Sequence, residues 1–220
     1  MTKTARPTFQ LEESISDAFQ IIAGIDEAGC GPLAGPVVAG AVIFLSRDLP
    51  DNLKAIINDS KKLTEKKRRQ AFEIMSDSRD KLLHFGIGCA SVSEIDQLNI
   101  GRAVRLAMER AVADLDMPPD FALIDGIRQP NLSCPLMTVI KGDASSYSIA
   151  AASIVAKVTR DRLMQELDLQ YPLYGWGKNS GYGTAFHINA IHAHGVSPHH
   201  RKSFEPIKTI IGAPAQLKMF

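Results

Sequence analysis

Three short apolar stretches of this sequence each lead directly into acidic residues. IIAGI ends at Asp26 and Glu27, FALI ends at Asp125, and PLMTVI leads through Lys-Gly to Asp143. Short apolar runs bounded by glycine and proline are typical of buried β-strands. Because the loops that follow strands carry the functional groups of α/β sheets, we expect the four carboxylates to lie together at the ends of neighbouring strands.

The rest of the pattern predicts an α/β fold. The run VVAGAVIF (37–44) follows the first strand as its hairpin partner, and LLHFGIGCAS (82–91) predicts a third strand. Helical spacing predicts helices over 63–78, 91–115 and 145–171. With the strands that end near Asp125 and Asp143, we expect a central mixed five-stranded sheet flanked by helices, and a C-terminal helical extension.

Composition argues against several classes of protein. Mean hydropathy is −0.03, and no apolar run approaches the roughly 18 residues of a membrane span. The three cysteines lie far apart without a Cys-x-x-Cys pair, which argues against a disulfide framework or a thiolate zinc site. We expect a cytoplasmic monomer with a polar leader over 1–20 that lacks the apolar segment of a secretory signal.

Basic residues are concentrated in two parts of the chain. Residues 60–69, SKKLTEKKRR, are mostly Lys and Arg, and the last fifty residues contain a single acid, Glu205. Such patches on a near-neutral protein suggest a phosphate backbone as the partner. The alternative is a solvated charged face beside a helix.

The four carboxylates suggest metal chemistry. Neighbouring carboxylates raise one another's pKa, and divalent cations relieve that repulsion. Hard oxygen ligands suit Mg²⁺ or Mn²⁺, and two such ions about 3.5–4 Å apart form the arrangement that hydrolyses phosphodiester bonds. The alternative is that each acid is a separate cap or turn residue, since Asp125–Gly126 is a common turn pair.

The loop after Glu27, GCGPLA, matches the dinucleotide-binding pattern G-x-G-x-x-G/A. That pattern must open a helix, whereas here Pro32 and Pro36 intervene and a β-branched run follows. The glycines on either side of Cys30 instead predict that bare backbone N–H and C=O groups approach a ligand.

Five long motifs cover most of residues 21–208. They are GIDEAGCGPLAGPVVAGAVI, DSKKLTEKKR, LIDG, KGDASSYSIAAASIVAKVTRD and GYGTAFHINAIHAHGVSPHHRKSF. In this order they resemble the motifs of bacterial ribonuclease HII. The resemblance implies a ribonuclease H-like fold and Mg²⁺- or Mn²⁺-dependent endonucleolysis of RNA in RNA–DNA hybrids. It also implies nicking 5′ to a single ribonucleotide in duplex DNA, which starts ribonucleotide excision repair, with 3′-hydroxyl and 5′-phosphate products.

The resemblance also implies the division of the chain and the catalytic acids. The ribonuclease H-like catalytic core spans 21–171, the helical substrate-binding extension spans 172–211, and 212–220 form a flexible tail. The family's four metal-binding catalytic acids fall on Asp26, Glu27, Asp125 and Asp143. Because adjacent strand residues point to opposite faces, we expect Glu27 to lie where the strand bends into the loop.

Substrate-binding residues are carried over in the same way. The family's Gly-Arg-Gly motif, which contacts the ribonucleotide 2′-hydroxyl, falls on Gly29, Cys30 and Gly31, so that cysteine replaces arginine. Backbone contacts would survive this exchange, whereas a side-chain contact would be lost. Tyr182 matches the tyrosine that stacks on the following deoxyribose, and Lys61 and Lys62 are expected to contact phosphates.

The C-terminal residues resemble short peptides that dock into bacterial sliding clamps. The residues concerned are Gln216, Leu217, Met219 and Phe220. An apolar cluster at a chain end either inserts into a partner or packs on its own protein, and both interpretations stay open. For the whole chain, the alternatives are another acid-cluster metal nuclease of the same superfold and a non-catalytic nucleic-acid-binding module.

Overall fold

The structure, a computed structural model, describes residues 6–57 and 63–212. Two groups of predicted binding residues lie outside the described residues, namely Lys61 and Lys62, and Gln216, Leu217, Met219 and Phe220. The expectations for these positions stay predictions.

A mixed five-stranded sheet forms the centre of the protein. Its strands are β1 (Ile22–Ala28), β2 (Val37–Phe44), β3 (Leu83–Ala90), β4 (Phe121–Asp125) and β5 (Leu136–Val139). They lie in the order β3-β2-β1-β4-β5. β1, β2 and β3 pair antiparallel, while β1, β4 and β5 pair parallel. The predicted mixed sheet and its opening hairpin are confirmed.

Helices cover both faces of the sheet. They are α1 (Gln10–Ile15), α2 (Asp51–Ile56), α3 (Glu65–Asp77), α4 (Val92–Leu98), α5 (Ile100–Ala113), α6 (Tyr147–Gln170), α7 (Trp176–Asn179), α8 (Ala185–His194) and α9 (Ile207–Gly212), with 3₁₀ turns at Gly142–Ala144 and Pro172–Tyr174. None of the helices in the described part of the chain has the length and apolar character to cross a membrane.

Glycines bring the two central helices directly against the sheet. α6 packs on β1 and β2, where a Cβ on Gly24 would come within 2.2 Å of the Ser148 backbone. α5 packs on the opposite face, where a Cβ on Gly88 would come within 2.0 Å of the Ala107 carbonyl oxygen. Such separations are too short for any side chain, so the apolar helices and the glycines of the strands specify this packing together.

Two predicted elements are wrong in detail. The helix predicted over 91–115 is broken at Asn99, whose φ is 68° and whose side chain caps α5 by accepting from the N–H groups of Gly101 and Arg102. The strand predicted to end at Asp143 ends at Val139, and Asp143 lies in the 3₁₀ turn that follows. In addition, the predicted polar leader contains α1, which was not anticipated.

Candidate active site

Asp26 and Glu27 lie side by side near the end of β1. Both pair regularly with β2, Asp26 with Gly40 and Glu27 with Ala39, so the expectation that Glu27 lies at a bend is wrong. Asp26 is 3% exposed and is hydrogen-bonded to Ser153 of α6. The Glu27 carboxylate accepts from Arg128 at 3.2 Å. Alternation along the strand therefore sends the two carboxylates to different neighbours.

Asp125 links β4 to the turn that carries Asp143. It is the last residue of β4, and its Oδ1 accepts from the N–H of Gly142 at 2.7 Å. Asp143 follows Gly142 directly and is 4% exposed. Lys141 precedes the turn with φ 57°, a left-handed conformation that redirects the chain after β5. The hydrogen bond between the Gly142 N–H and Asp125, and not strand geometry, thus positions Asp143 relative to Asp125.

The acids Asp26, Glu27 and Asp125 interact electrostatically. The pKa of Asp26 is raised well above its ordinary value by burial first, and then by the negative charges of Asp125 and Glu27. Hydrogen bonds from Ser153 and the Glu27 N–H oppose this shift in part. A buried carboxylate that is repelled by two neighbouring carboxylates favours binding of a cation.

The donor set fits a hard divalent cation in an open site. Carboxylate oxygens are the ligands that Mg²⁺ and Mn²⁺ prefer, and Mg²⁺ commonly uses one or two carboxylates with waters and substrate phosphates. In residues 6–57 and 63–212, three metal-ligating side chains with donor atoms all within 4.8 Å of one another occur at Asp80, His84 and Asp116, and not at the four acids. The acids therefore do not form a closed cage by themselves.

In the glycine loop after β1, Gly29 is a position that only glycine can occupy. Gly29 has φ +99°, and a Cβ there would come within 2.0 Å of the Arg160 Nε. At Gly31 a Cβ would have an ordinary contact, 3.6 Å from the Tyr182 ring. Gly29 is thus required by the fold, whereas the bare backbone at Gly31 leaves space beside Tyr182.

Two buried arginines hold this loop, and sequence analysis did not identify either. Arg201 is 0% exposed and donates to the carbonyl oxygens of Gly29 (2.7 Å), Cys30 (3.1 Å) and Gly35 (2.9 Å). Arg160, 1% exposed, donates to the Pro36 carbonyl at 3.0 Å. Burial lowers the pKa of Arg201 to about 9. Both arginines occur in the motifs quoted above. Their partners are backbone carbonyl groups, which every residue has, so the sequence does not indicate where they bind.

The Cys30 side chain contacts Glu27. Its thiol is partly buried and donates to Glu27 Oε1 at 3.3 Å. Burial, and then the charge of Glu27, raises the pKa of this thiol to about 12. At neutral pH the residue between the two loop glycines is therefore an uncharged thiol.

Tyr182 borders the same cavity as the glycine loop. The cavity has a volume of about 300 Å³ and is lined by Glu27, Ala28, Gly29, Cys30, Gly31, Ser153, Lys157, Arg160 and Tyr182. The Tyr182 side chain is 49% exposed. The structure thus brings together the predicted glycine loop, Tyr182 and one of the four acids, and adds Lys157, which was not predicted.

A buried pair of histidines supports the Tyr182 backbone. His187 Nδ1 donates to the Tyr182 carbonyl at 2.9 Å, so its Nε2 accepts, from Trp176 Nε1 and from His200 Nε2, each at 3.0 Å. His200 Nδ1 then accepts from the Ser197 N–H at 2.9 Å. Burial lowers the pKa of both histidines, to about 4 for His200. They are neutral structural groups and not metal ligands.

This chain is similar in sequence to known proteins. The chain matches the sequence model of one family, described as Ribonuclease HII, over residues 23–207. It is 51% identical over 195 residues to a ribonuclease HII of Gluconobacter oxydans, covering 89% of this chain and 93% of the relative.

Solved structures show the same fold. The ribonuclease H2 from Pyrococcus horikoshii has a TM-score of 0.72 and 26% identity, covering 87% of this chain and 97% of that one. The structure of a PCNA:RNase HII complex from Archaeoglobus fulgidus has a TM-score of 0.66 and 24% identity, covering 82% and 93%. The chain therefore belongs to the ribonuclease HII family and is a ribonuclease H of ribonuclease H-like fold that acts on RNA–DNA hybrids.

Proposed function

We propose that this enzyme cleaves the RNA strand of hybrids endonucleolytically and also nicks duplex DNA 5′ to single ribonucleotides, the first step of ribonucleotide excision repair. The supporting observation is that Glu27, the loop at 29–31 and the exposed Tyr182 ring line a single cavity. In this arrangement a scissile phosphate lies beside the acids while the sugar next to it lies against the loop.

The four acids are the residues that we assign as ligands of Mg²⁺ or Mn²⁺. Two bound ions would supply Lewis-acid activation of water and stabilisation of the departing oxygen, which leaves 3′-hydroxyl and 5′-phosphate ends. Without a cation, Asp26 holds its proton more readily than an exposed aspartate does, because it is buried among other acids. A neighbouring cation would favour its ionised form.

The loop backbone is the part that we assign to ribonucleotide recognition. Arg201 donates one hydrogen bond to the carbonyl oxygen of Gly29 and one to that of Cys30, which leaves the loop N–H groups and the second lone pair of each oxygen for a ligand. A 2′-hydroxyl is both donor and acceptor, so it can accept from a loop N–H group or donate to a loop carbonyl oxygen. Since Arg201 holds the loop through its carbonyl oxygens, the cysteine at position 30 leaves these backbone groups in place.

Tyr182 is assigned to the sugar that follows the ribonucleotide. Its ring is half exposed and its backbone is fixed by His187, so the ring presents a face at a defined position. Stacking on a deoxyribose requires such a face and no hydrogen bond. Lys61 and Lys62 are proposed to contact phosphates farther along the duplex.

A sliding clamp is the proposed partner of the tail residues Gln216, Leu217, Met219 and Phe220. The supporting observations are the sequence of the tail and the PCNA complex formed by the Archaeoglobus fulgidus protein. Deleting residues 214–220 is expected to abolish binding to a bacterial clamp while cleavage of a short hybrid is retained. Unchanged clamp binding by the shortened chain would contradict this proposal.

The activity is tested with an end-labelled DNA duplex containing one ribonucleotide, beside an all-DNA duplex and a long RNA–DNA hybrid. Each is incubated with Mg²⁺, Mn²⁺ or chelator, with Asp125→Asn as the inactive variant and the exposed Asp77→Asn as its matched control. We expect a metal-dependent nick 5′ to the ribonucleotide that Asp125→Asn loses and Asp77→Asn retains. Cleavage of the hybrid alone would refute junction recognition, and no cleavage of any substrate would indicate a binding module.

A further inference from the structure

The N-terminal segment is paired with the segment that joins Asp143 to α6. The N–H of Thr8 donates to the Ser145 carbonyl at 3.0 Å, and the N–H of Tyr147 donates to the Thr8 carbonyl at 3.1 Å. This pairing is a parallel bridge between Thr8 and Ser146. A short stretch ahead of the sheet is thus attached to the start of α6.

Glu12 of α1 accepts three hydrogen bonds from residues at the start of α6. Its Oε1 accepts from Ser146 Oγ (2.7 Å), Ser148 Oγ (2.7 Å) and the Ser148 N–H (3.1 Å), and the residue is 4% exposed. Ser146 is also the N-cap of α6, because its Oγ accepts from the Ile149 N–H. A carboxylate at this position is favoured by the free N–H groups and the dipole of a 24-residue helix.

Phe9 anchors the same segment in the apolar core. It is 8% exposed, and its ring lies 4.9 Å from the Tyr147 ring and 5.3 Å from the Phe44 ring between centroids. The segment therefore cannot move away from α6 without exposing apolar surface.

The turn that carries Asp143 is held from two sides. On one side, Gly142 donates its N–H to Asp125. On the other, the N–H groups of Ser145 and Ser146 donate to the Gly142 carbonyl at 2.9 and 2.8 Å, and these serines are the residues bonded to the N-terminal segment. Ser145 accepts a hydrogen bond from Thr8 of the N-terminal segment, and only Ala144 separates Ser145 from Asp143 in sequence.

We infer that Glu12 is a positioning residue for the metal site: it fixes the start of α6 and thereby holds Asp143 beside the other acids before any cation binds. This inference rests on the proposed role of Asp143 as a ligand. Glu12 is bonded through Oε1 to Ser146 and Ser148, so its effect on the metal site passes through these two serines. Without Glu12, the turn at 142–146 samples other conformations and a cation must order it on binding.

The test compares Glu12→Ala with Glu13→Ala, an exposed residue of the same helix. Loss of a group that orients a metal ligand typically weakens metal affinity about 10–100-fold. We expect Glu12→Ala to raise the Mn²⁺ concentration for half-maximal cleavage by at least about tenfold, with KM for the duplex unchanged at saturating metal. Calorimetric Mn²⁺ binding should weaken by the same factor, and the amides of 145–149 should exchange faster in metal-free protein.

Glu12→Gln keeps the acceptor oxygen without its charge, so a smaller rise in the metal requirement is expected from it. It also serves as the test variant where Glu12→Ala is too unstable to purify. Faster exchange with an unchanged metal requirement would overturn the inference, as would an equal effect of Glu13→Ala. Asp143→Asn separates the two proposals: if that variant stays fully active, the role assigned to Asp143 is wrong, whereas if it is inactive and Glu12→Ala behaves as wild type, only the positioning role fails.

Discussion

The guanidinium of Arg201 donates a 2.7 Å hydrogen bond to the carbonyl oxygen of Gly29, although 172 positions separate the two residues in sequence. The last part of the described chain thereby holds the loop that follows the first strand. A buried cation is normally paired with a carboxylate, but here its bonds go to backbone carbonyls. The loop conformation is thus a property of the whole fold and not of its own glycines alone.

Arg201→Met is expected to destabilise the protein and to disable the loop. The substitution leaves several buried carbonyl oxygens without a donor, and each such group costs about 1–3 kcal/mol. We expect the free energy of unfolding in urea to fall by about 3 kcal/mol, and nicking at a single ribonucleotide to be lost. Lys202→Met, at the exposed neighbouring position, is the matched control. Equal stability of the two variants would contradict the role assigned to Arg201.

Cys30→Ala is expected to leave activity nearly unchanged. The thiol is uncharged, and the loop carbonyls are held by Arg201, so removing the sulfur alters no backbone group of the loop. Nicking 5′ to a single ribonucleotide should stay within about threefold of wild type, a difference below ~1 kcal/mol in activation free energy. Cys134→Ala, distant in sequence from the loop, is the control. A tenfold loss specific to Cys30→Ala would show that the thiol itself takes part in recognition.

Local sequence patterns predicted the strands of the sheet, apart from the end of β5. β2 occupies the same residues, 37–44, that the β-branched run predicts, and Thr64 caps α3 through the Lys67 N–H, as a helix-start residue should. The break at Asn99 was missed because apolar spacing continues across it. Its cause is a positive φ together with a side-chain cap, and neither alters the periodicity.

The parts of the site that were missed depend on distant partners. Arg160 and Arg201 bond to carbonyls, which every residue carries, so no residue type marks the partner. Glu12 lies 134 positions from Ser146, and in sequence it is one acid among several in a polar segment. All four acids were predicted to lie together because the ends of parallel strands meet at one end of a sheet. The pairing of β1 with β4 accounts for Asp26, Glu27 and Asp125, whereas Asp143 lies in the turn after β5.

Stability is expected to fall as the pH decreases from about 6.5 toward 4, in part because of His200. The pKa of His200 is lowered to about 4 in the folded protein, mainly by burial and then by His187, so between these pH values the unfolded state binds more protons. Protonation of His200 would also place a charge in the buried pair that supports Tyr182. For a pKa shift from 6.5 to about 4, the contribution that is fully present above pH 6.5 is about 3 kcal/mol, and it is lost as the pH falls toward the folded pKa.

Urea unfolding at pH 7.0, 5.5 and 4.5 measures this effect, with His200→Gln compared with wild type. The variant should show a weaker pH dependence over this range, while the exposed His192→Gln should not differ from wild type. The comparison between variants is needed because the raised pKa of Asp26 acts in the opposite direction, adding stability as the pH falls. Identical slopes for wild type and His200→Gln would rule out the assignment to His200.

Asp26→Asn is expected to stabilise the metal-free protein while abolishing cleavage. At neutral pH the fold holds Asp26 in a buried position beside Asp125 and Glu27, and a neutral amide of the same shape removes that repulsion. Relieving strain at a functional site commonly adds about 0.5–2 kcal/mol, and we expect a gain of that size in the free energy of unfolding in chelator. In saturating Mg²⁺ wild type should be the more stable of the two proteins, since it gains metal-binding energy that the variant cannot gain. The control Asp77→Asn should leave the free energy of unfolding unchanged both in chelator and in Mg²⁺. A variant that is less stable than wild type in chelator would show that Asp26 contributes structurally and is not strained by its neighbours.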